Sequence, residues 1–221
     1  GVVSGVIAQW GPRPLVTPFL VHVGLVLVAL VVARSVPDTV TPDRSRSTRP
    51  DLGLTADTRG PFWRLVAPTA LAVFGFAALS FSLFPVLLRP VMADVAVLVA
   101  GIVAALTSLS IFAMQGAAVR LGAERGGWVA YAIGTVGCGL GAVAFITGWW
   151  PLIFPAAIAM GSASALAVTS GLWLVDELAE PNRRGAMTGA FYGVAYAGMT
   201  TPVLIASLAG ADGYATVLVG L

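Results

Sequence analysis

Five stretches of this 221-residue chain run for 21 residues or more without an ionisable side chain: Leu65–Leu88, Val95–Val119, Gly126–Trp150, Pro151–Val175 and Gly185–Ala211. A helix needs about 20 apolar residues to cross the hydrocarbon core of a bilayer. Lipid offers no partner for free backbone N–H and C=O groups, so only helices and closed barrels can span it. The stretches show no period-2 alternation and are too long for barrel strands. They predict an all-α fold, a polytopic transmembrane helical bundle.

Composition removes the competing classes. Hydrophobic residues make up 58% of the chain, charged residues 10%, and the mean hydropathy is +0.93. A soluble domain of this length would need far more surface charge. The pI near 9.1 invites a nucleic-acid reading. That reading fails because the arginines sit in short links between apolar segments rather than on one continuous face. All twelve basic residues are Arg. The single Cys138 excludes an intrachain disulfide and reads as a small packing residue. One His and one Cys cannot build a metal site, so neither a metal nor a cofactor is expected.

In chain order the spans read as a helix remnant at Gly1–Gln9, then helices at Leu15–Ala33, Leu65–Leu88, Val95–Ala118, Trp128–Gly148, Leu152–Val175 and Ala186–Ala209. A partial helix opens at Gly213, and both ends of the sequence are expected to fall inside transmembrane helices. Gly11-Pro12, Arg89-Pro90, Pro151, Pro181 and Gly210 punctuate the joints. Alternate loops hold ten arginines (Arg34, Arg44, Arg46, Arg49, Arg59, Arg64, Arg120, Arg125, Arg183 and Arg184), against Arg13 and Arg89 on the other side. Basic residues in short loops favour the cytoplasm, so the arginine-rich side is expected there and the protein in a cell (inner) membrane. Trp10, Trp63, Trp128, Trp149, Trp150 and Trp173 all fall near predicted helix ends, where an indole buries its ring and keeps its N–H wet.

Residues 35–64 differ from every other joint. They are rich in Arg, Asp, Thr, Pro and Ser and cannot bury enough apolar surface to fold alone. They read as a flexible cytoplasmic linker with a short amphipathic turn at Asp51–Thr55. The expected domains are residues 1–34 from one bundle, the 35–64 linker, and a second bundle over 65–221.

One long polar linker followed by about six tightly connected helices resembles the major facilitator superfamily of secondary transporters. Three local motifs carry the likeness. Val36-Pro37-Asp38-Thr39 resembles the Val-Pro-Glu-Thr signature that many members carry after helix six, with Asp for Glu. Val119-Arg120-Leu121-Gly122 is similar to the Asp-Arg-x-Gly core of the family's cytoplasmic loop motif, but Val119 stands where the acid belongs. Glu177 through Ala186, with Pro181 and Arg183-Arg184-Gly185, looks like the family's acid, Pro, Arg-Gly loop between helices ten and eleven. The resemblance covers essentially the whole chain, from the end of helix five into helix twelve. It implies alternating access by two bundles rocking about a midplane site, with lipid, a small-molecule substrate and the preceding N-terminal bundle as partners. A coupling proton is compatible with it.

Several residues are candidates within that frame. Gly185, Gly189 and Gly193 recur every four residues as a small-residue packing stripe, and Tyr192, Tyr196 and Thr200 lie about 100° round the same helix. The resemblance implies that this helix lines the cavity. Ser80 with Phe84, Ser108 with Gln115, and Ser162 with Thr169 each share a helix face and are further cavity candidates, although core or lipid-facing positions serve equally. Pro85, Pro155 and Pro202 are kink candidates. Gly137 and Gly141 form a Gly-x-x-x-Gly packing pair. Arg120, Glu124, Arg125, Asp176, Glu177, Arg183 and Arg184 are either gate-forming ion pairs or solvated charges that set topology. His22 is the one ionisable group inside a complete span and hence a candidate proton carrier, or a satisfied neutral imidazole. No Asp or Glu falls inside a complete span, so a proton-coupling carboxylate is expected in the N-terminal half. No enzymatic activity is expected. The alternatives are a non-transporting scaffold or sensor, and an intramembrane serine enzyme built on Ser162 and His22.

Overall fold

The computed structural model describes residues 6, 7, 10, 13, 16–36, 51–88, 90 and 93–209. Most of the Gly1–Gln9 remnant, the Pro37-Asp38-Thr39 part of the linker signature, linker residues 37–50 and the partial helix from Gly213 lie outside them. Among the described residues the regular structure is helical throughout, with no strand.

The first helix, α1 (Thr17–Ala33), is apolar on every face and buries no residue. The second, α2, is a rod over residues 56–88. It runs through Ala56–Pro61, a π-helical turn at Phe62–Val66, Ala67–Ala78, a second π turn at Leu79–Leu83, and Phe84–Leu88. Then come α3 (Ala96–Leu121), α4 (Ala123–Thr147) and α5 (Ile153–Leu178). The last, α6, spans 184–209 as Arg184–Ala197, a 3-10 turn at Gly198–Thr200, and Thr201–Ala209. Five of these rods, α2 to α6, are long and apolar enough to cross a membrane.

Two helices start earlier than their charge pattern indicates. In α2, Thr55 caps the end: its hydroxyl accepts the Thr58 amide at 3.3 Å, and the Thr55 amide donates to the Thr58 hydroxyl at 2.9 Å. This reciprocal cap satisfies donors that would otherwise be orphaned, and it draws Arg59 and Arg64 into the helix. In α4 the start moves up to Ala123 because Gly122 alone, at φ +76°, turns the chain between α3 and α4. Only glycine takes that conformation without strain.

The bundle is organised around α5, which packs against α4, α3 and α2, while α6 packs chiefly on α2. Residues Met160 to Ala167 of α5 are all buried, and apart from Met160 and Leu166 they are Gly, Ser or Ala. Small side chains let neighbouring backbones close in, and dispersion across such contacts replaces the hydrophobic drive that lipid does not supply. At Gly161 the approach is limiting, since a Cβ there would overlap the Thr107 carbonyl oxygen of α3.

Aromatic rings sit over glycines elsewhere. The Phe76 ring lies over Gly134, the Phe84 ring over Gly141, and the Phe191 ring over Gly171. Gly137 approaches Met160 and the Ala156 carbonyl, and Gly198 of α6 approaches Leu71 and Gly75 of α2. Two core clusters result. Phe62, Val66, Val73, Leu166, Met187 and Phe191 fill one end. Leu83, Phe84, Val103, Ala157, Met160 and Ile205 fill the other.

The kink candidates divide by position. Pro202 follows the 3-10 turn of α6, and Pro85 follows the second π turn of α2, so both stand next to irregular backbone. Pro155 lies in the first turn of α5, where its missing N–H has no helical acceptor to leave unmet.

Gly161→Ala should destabilise the bundle by about 1–3 kcal/mol, the usual range for overpacking. Gly139→Ala, where a Cβ meets nothing within 4 Å, should stay within about 0.5 kcal/mol. Thermal unfolding of the two variants in the same detergent tests this, and equal shifts would refute the α3–α5 contact.

Candidate functional site

The up-and-down course of the rods gathers Arg59, Arg64, Arg120, Arg125, Arg183 and Arg184 at one end of the bundle. There the chain leading into α2 is fastened to the start of α6. Arg184 pairs with Asp176 at 2.9 Å across the turn from α5 to α6. Arg183 reaches Glu180 at 3.7 Å and Asp51 at 3.9 Å. Asp51 also accepts the Gly53 amide at 2.8 Å, which shapes the turn. Gly53, at φ +70°, is buried where a Cβ would lie 2.8 Å from the Arg183 carbonyl oxygen and from the Met187 amide nitrogen. Leu54 packs into the adjoining core cluster.

The end of the linker is therefore docked on the bundle as a short strap, with a turn at Asp51–Gly53 inside the Asp51–Thr55 stretch where one is expected. A left-handed glycine and the Asp51–Arg183 ion pair hold it. Of the seven candidate gate charges, Asp176, Arg183 and Arg184 are joined in ion pairs. Arg120, Arg125 and Glu177 have none among the described residues, and the Glu124 side chain lies outside them.

The cavity candidates separate sharply. Ser80 is fully buried and donates to the Thr107 hydroxyl at 2.7 Å, because Thr107 spends its own proton on the Val103 carbonyl at 2.9 Å. Phe84 is buried against Gly141. Ser162 is buried within α5 and Thr169 half-buried. Ser80, Phe84 and Ser162 are thus core residues among the described ones and line neither of the two cavities below, a correction that follows from the close fit of α5.

Ser108 and Gln115 lie exposed on the outer face of α3, with Ser108 bonded back to the Ala104 carbonyl. On α6, Tyr192 is half-buried. Tyr196 is exposed and stacks on Phe74 with ring centres 5.0 Å apart, and Thr200 is exposed. The stripe of Gly185, Gly189 and Gly193 meets nothing within 4 Å. Among the described residues it packs against no helix, and Gly198 makes the close approach instead. His22 is exposed on α1.

Two open spaces lie between α2 and α4. One cavity of about 500 Å³ is lined by Arg64, Leu65, Pro68, Arg125, Trp128 and Leu174, among others. A second of about 250 Å³ lies further along the same seam, beside Leu71, Phe76, Leu79, Thr135 and Cys138. Tyr131 borders both and donates its hydroxyl to the Pro68 carbonyl at 2.7 Å. Thr69 likewise donates to Leu65, at 2.8 Å. With these hydroxyls satisfied internally, the charged donors facing the larger cavity are the guanidinium groups of Arg64 and Arg125. Neither is ion-paired among the described residues.

No protein-family model, no curated protein and no solved structure matches this chain. The reading of the site therefore rests on its own geometry.

Sequence reasoning missed Tyr131, Thr107 and the α2–α4 seam. One signal was present: Tyr131, Thr135 and Cys138 recur at i, i+4 and i+7 and so share a face of α4. Thr107 had no comparable mark, being one hydroxyl among several in α3.

Gly53→Val forces a β-branched residue into a left-handed conformation and onto backbone atoms, a strain of about 1–3 kcal/mol. Since 1.4 kcal/mol is tenfold in a population, tryptic cleavage after Arg59 should accelerate roughly tenfold in the variant. An unchanged rate would show that the strap is not held at Gly53.

Proposed function

We propose that the chain is part of a secondary transporter of the major facilitator type, contributing the last helix of one bundle, the linker, and most of the second bundle. It moves a small molecule by alternating access and is not an enzyme. The observation that carries this reading is the open face of α6. The glycine stripe at 185, 189 and 193 has no facing element among the described residues, and the exposed Tyr196, stacked on Phe74, and Thr200 add hydroxyls beside it. The exposed Ser108 and Gln115 of α3 are suited to the same use. A second bundle closing over these faces creates a midplane site of the kind that alternating access requires.

The ion pairs at the arginine-rich end fit a gate. Pairs made in one state and broken in the other bias the equilibrium between them. The charge distribution supports a cytoplasmic location for that end and for the linker, in a cell membrane. Intramembrane serine chemistry draws no support, because Ser162 is buried inside the bundle while His22 is exposed on α1.

Transport is tested with the full-length protein in proteoliposomes, by counterflow of a panel of apolar and amphipathic solutes against empty vesicles. An exposed ion pair contributes about 0.2–1 kcal/mol, so Arg184→Glu should slow flux by about 1.4- to fivefold. Adding Asp176→Arg should restore it. Absence of flux for every solute, with spin labels showing that neither end of the protein ever opens, would sink the reading.

Orientation is tested separately. With Cys138→Ala as background, Ser45→Cys should react with an impermeant maleimide only after the cells are permeabilised. Labelling of intact cells would reverse the topology.

A further inference from the structure

The seam between α2 and α4 has a definite chemical polarity. At the arginine-rich end it opens between Arg64 and Arg125, with Trp128 80% exposed beside them. Inward it is walled by Leu65, Pro68 and Leu174, passes Tyr131, and continues along Leu71, Phe76 and Leu79. Among the described residues no acidic side chain lines it. Glu124 neighbours Arg125 in sequence, and its side chain lies outside the described residues. From Arg64 to Leu79 the helical rise amounts to about 22 Å. Half the thickness of a bilayer, headgroups included, is about 20–22 Å. The seam thus has the depth of one leaflet, with cations at headgroup level and apolar walls below.

We propose that this groove binds one anionic phospholipid, with its phosphate held by Arg64 and Arg125 and an acyl chain lying along the seam past Tyr131. The site is separate from the α6 face and requires only that the helices sit in a bilayer, so it stands whether or not the protein transports. Four features select this ligand. The paired guanidinium charges favour a headgroup of net negative charge over a zwitterionic one, in which the choline cation offsets the phosphate. Basic pockets between transmembrane helices are where anionic headgroups dock. The exposed indole of Trp128 stands at the interface, where tryptophan prefers to lie. The hydroxyls of Thr69, Tyr131, Thr135 and Thr201 are all bonded to backbone carbonyls, which leaves the weak Cys138 thiol as the donor that the deeper wall offers a polar solute.

The full chain in detergent is titrated with dioleoylphosphatidylglycerol or dioleoylphosphatidylcholine, and bound lipid is counted by native mass spectrometry. Each arginine near the surface is worth about fivefold, so the pair should favour the glycerol lipid roughly thirtyfold. R64Q/R125Q should bring both lipids to the same occupancy, while R64K/R125K, which keeps the charge, should retain most of the preference. Arg120 stands at the same end but outside the groove, and R120Q should behave as the unmodified protein.

Equal binding of the two lipids by the unmodified protein overturns the proposal, whatever the variants do. An equal loss with R120Q overturns it in favour of diffuse surface charge. Displacement of the lipid by inorganic phosphate overturns it in favour of a soluble anion. Protection of Trp128 by dimer formation overturns it in favour of a second copy.

Discussion

Backbone proximity at α5 is the contact on which the rest of the bundle depends. In lipid an apolar side chain gains little by leaving its surroundings for a neighbouring helix, so association rests on close dispersion contacts and on the few hydrogen bonds between helices. The run of Ala, Ser and Gly from 161 to 165 lets α2, α3 and α4 converge on one rod. Rings seat over glycines as well, Phe76 and Phe84 over Gly134 and Gly141 of α4 and Phe191 over Gly171 of α5 itself. The Ser80–Thr107 bond belongs to the same crossing, and it works because Thr107 orders the donor sequence through Val103.

This arrangement explains which parts of the molecule are free to act. Side chains turned toward α5 are committed to packing, however polar they look. Those turned away, on α6 and the outer face of α3, remain open, and the α2–α4 seam stays unfilled because both helices lean on α5 more than on each other. The arginine-rich end is fastened by a strap whose fixed points are backbone contacts at Gly53 and the Asp51–Arg183 ion pair. Core, strap and seam are three outcomes of one packing problem.

Charge-free length made the five spanning rods legible, because lipid forces backbone satisfaction within each segment. Boundaries were less legible where polar residues join a helix. The reciprocal Thr55–Thr58 cap carries Arg59 and Arg64 into α2, and Gly122 brings α4 forward to Ala123. Face assignments were the weakest, and for a physical reason: α5 is apolar on every side, so no moment in its sequence tells which neighbour each residue meets. Ser80 and Phe84 share a face, as their spacing required, but the face turns inward. Gly137 sits against α5 and Gly141 beneath Phe84, whereas the more regular stripe at 185, 189 and 193 meets open space. A repeat of small residues thus records that close approach is possible, and the partner decides whether it happens.

The single-residue joint at Gly122 bears on how the protein is made. The rods it connects are successive in the chain yet touch each other little, since α5 occupies the space between them. During synthesis the pair must enter the bilayer as a hairpin with almost nothing to hold its arms together. Until the next rod emerges and wedges between them, each arm leans on the earlier α2 and hardly on the other, so the ribosome delivers the keystone after the stones it locks.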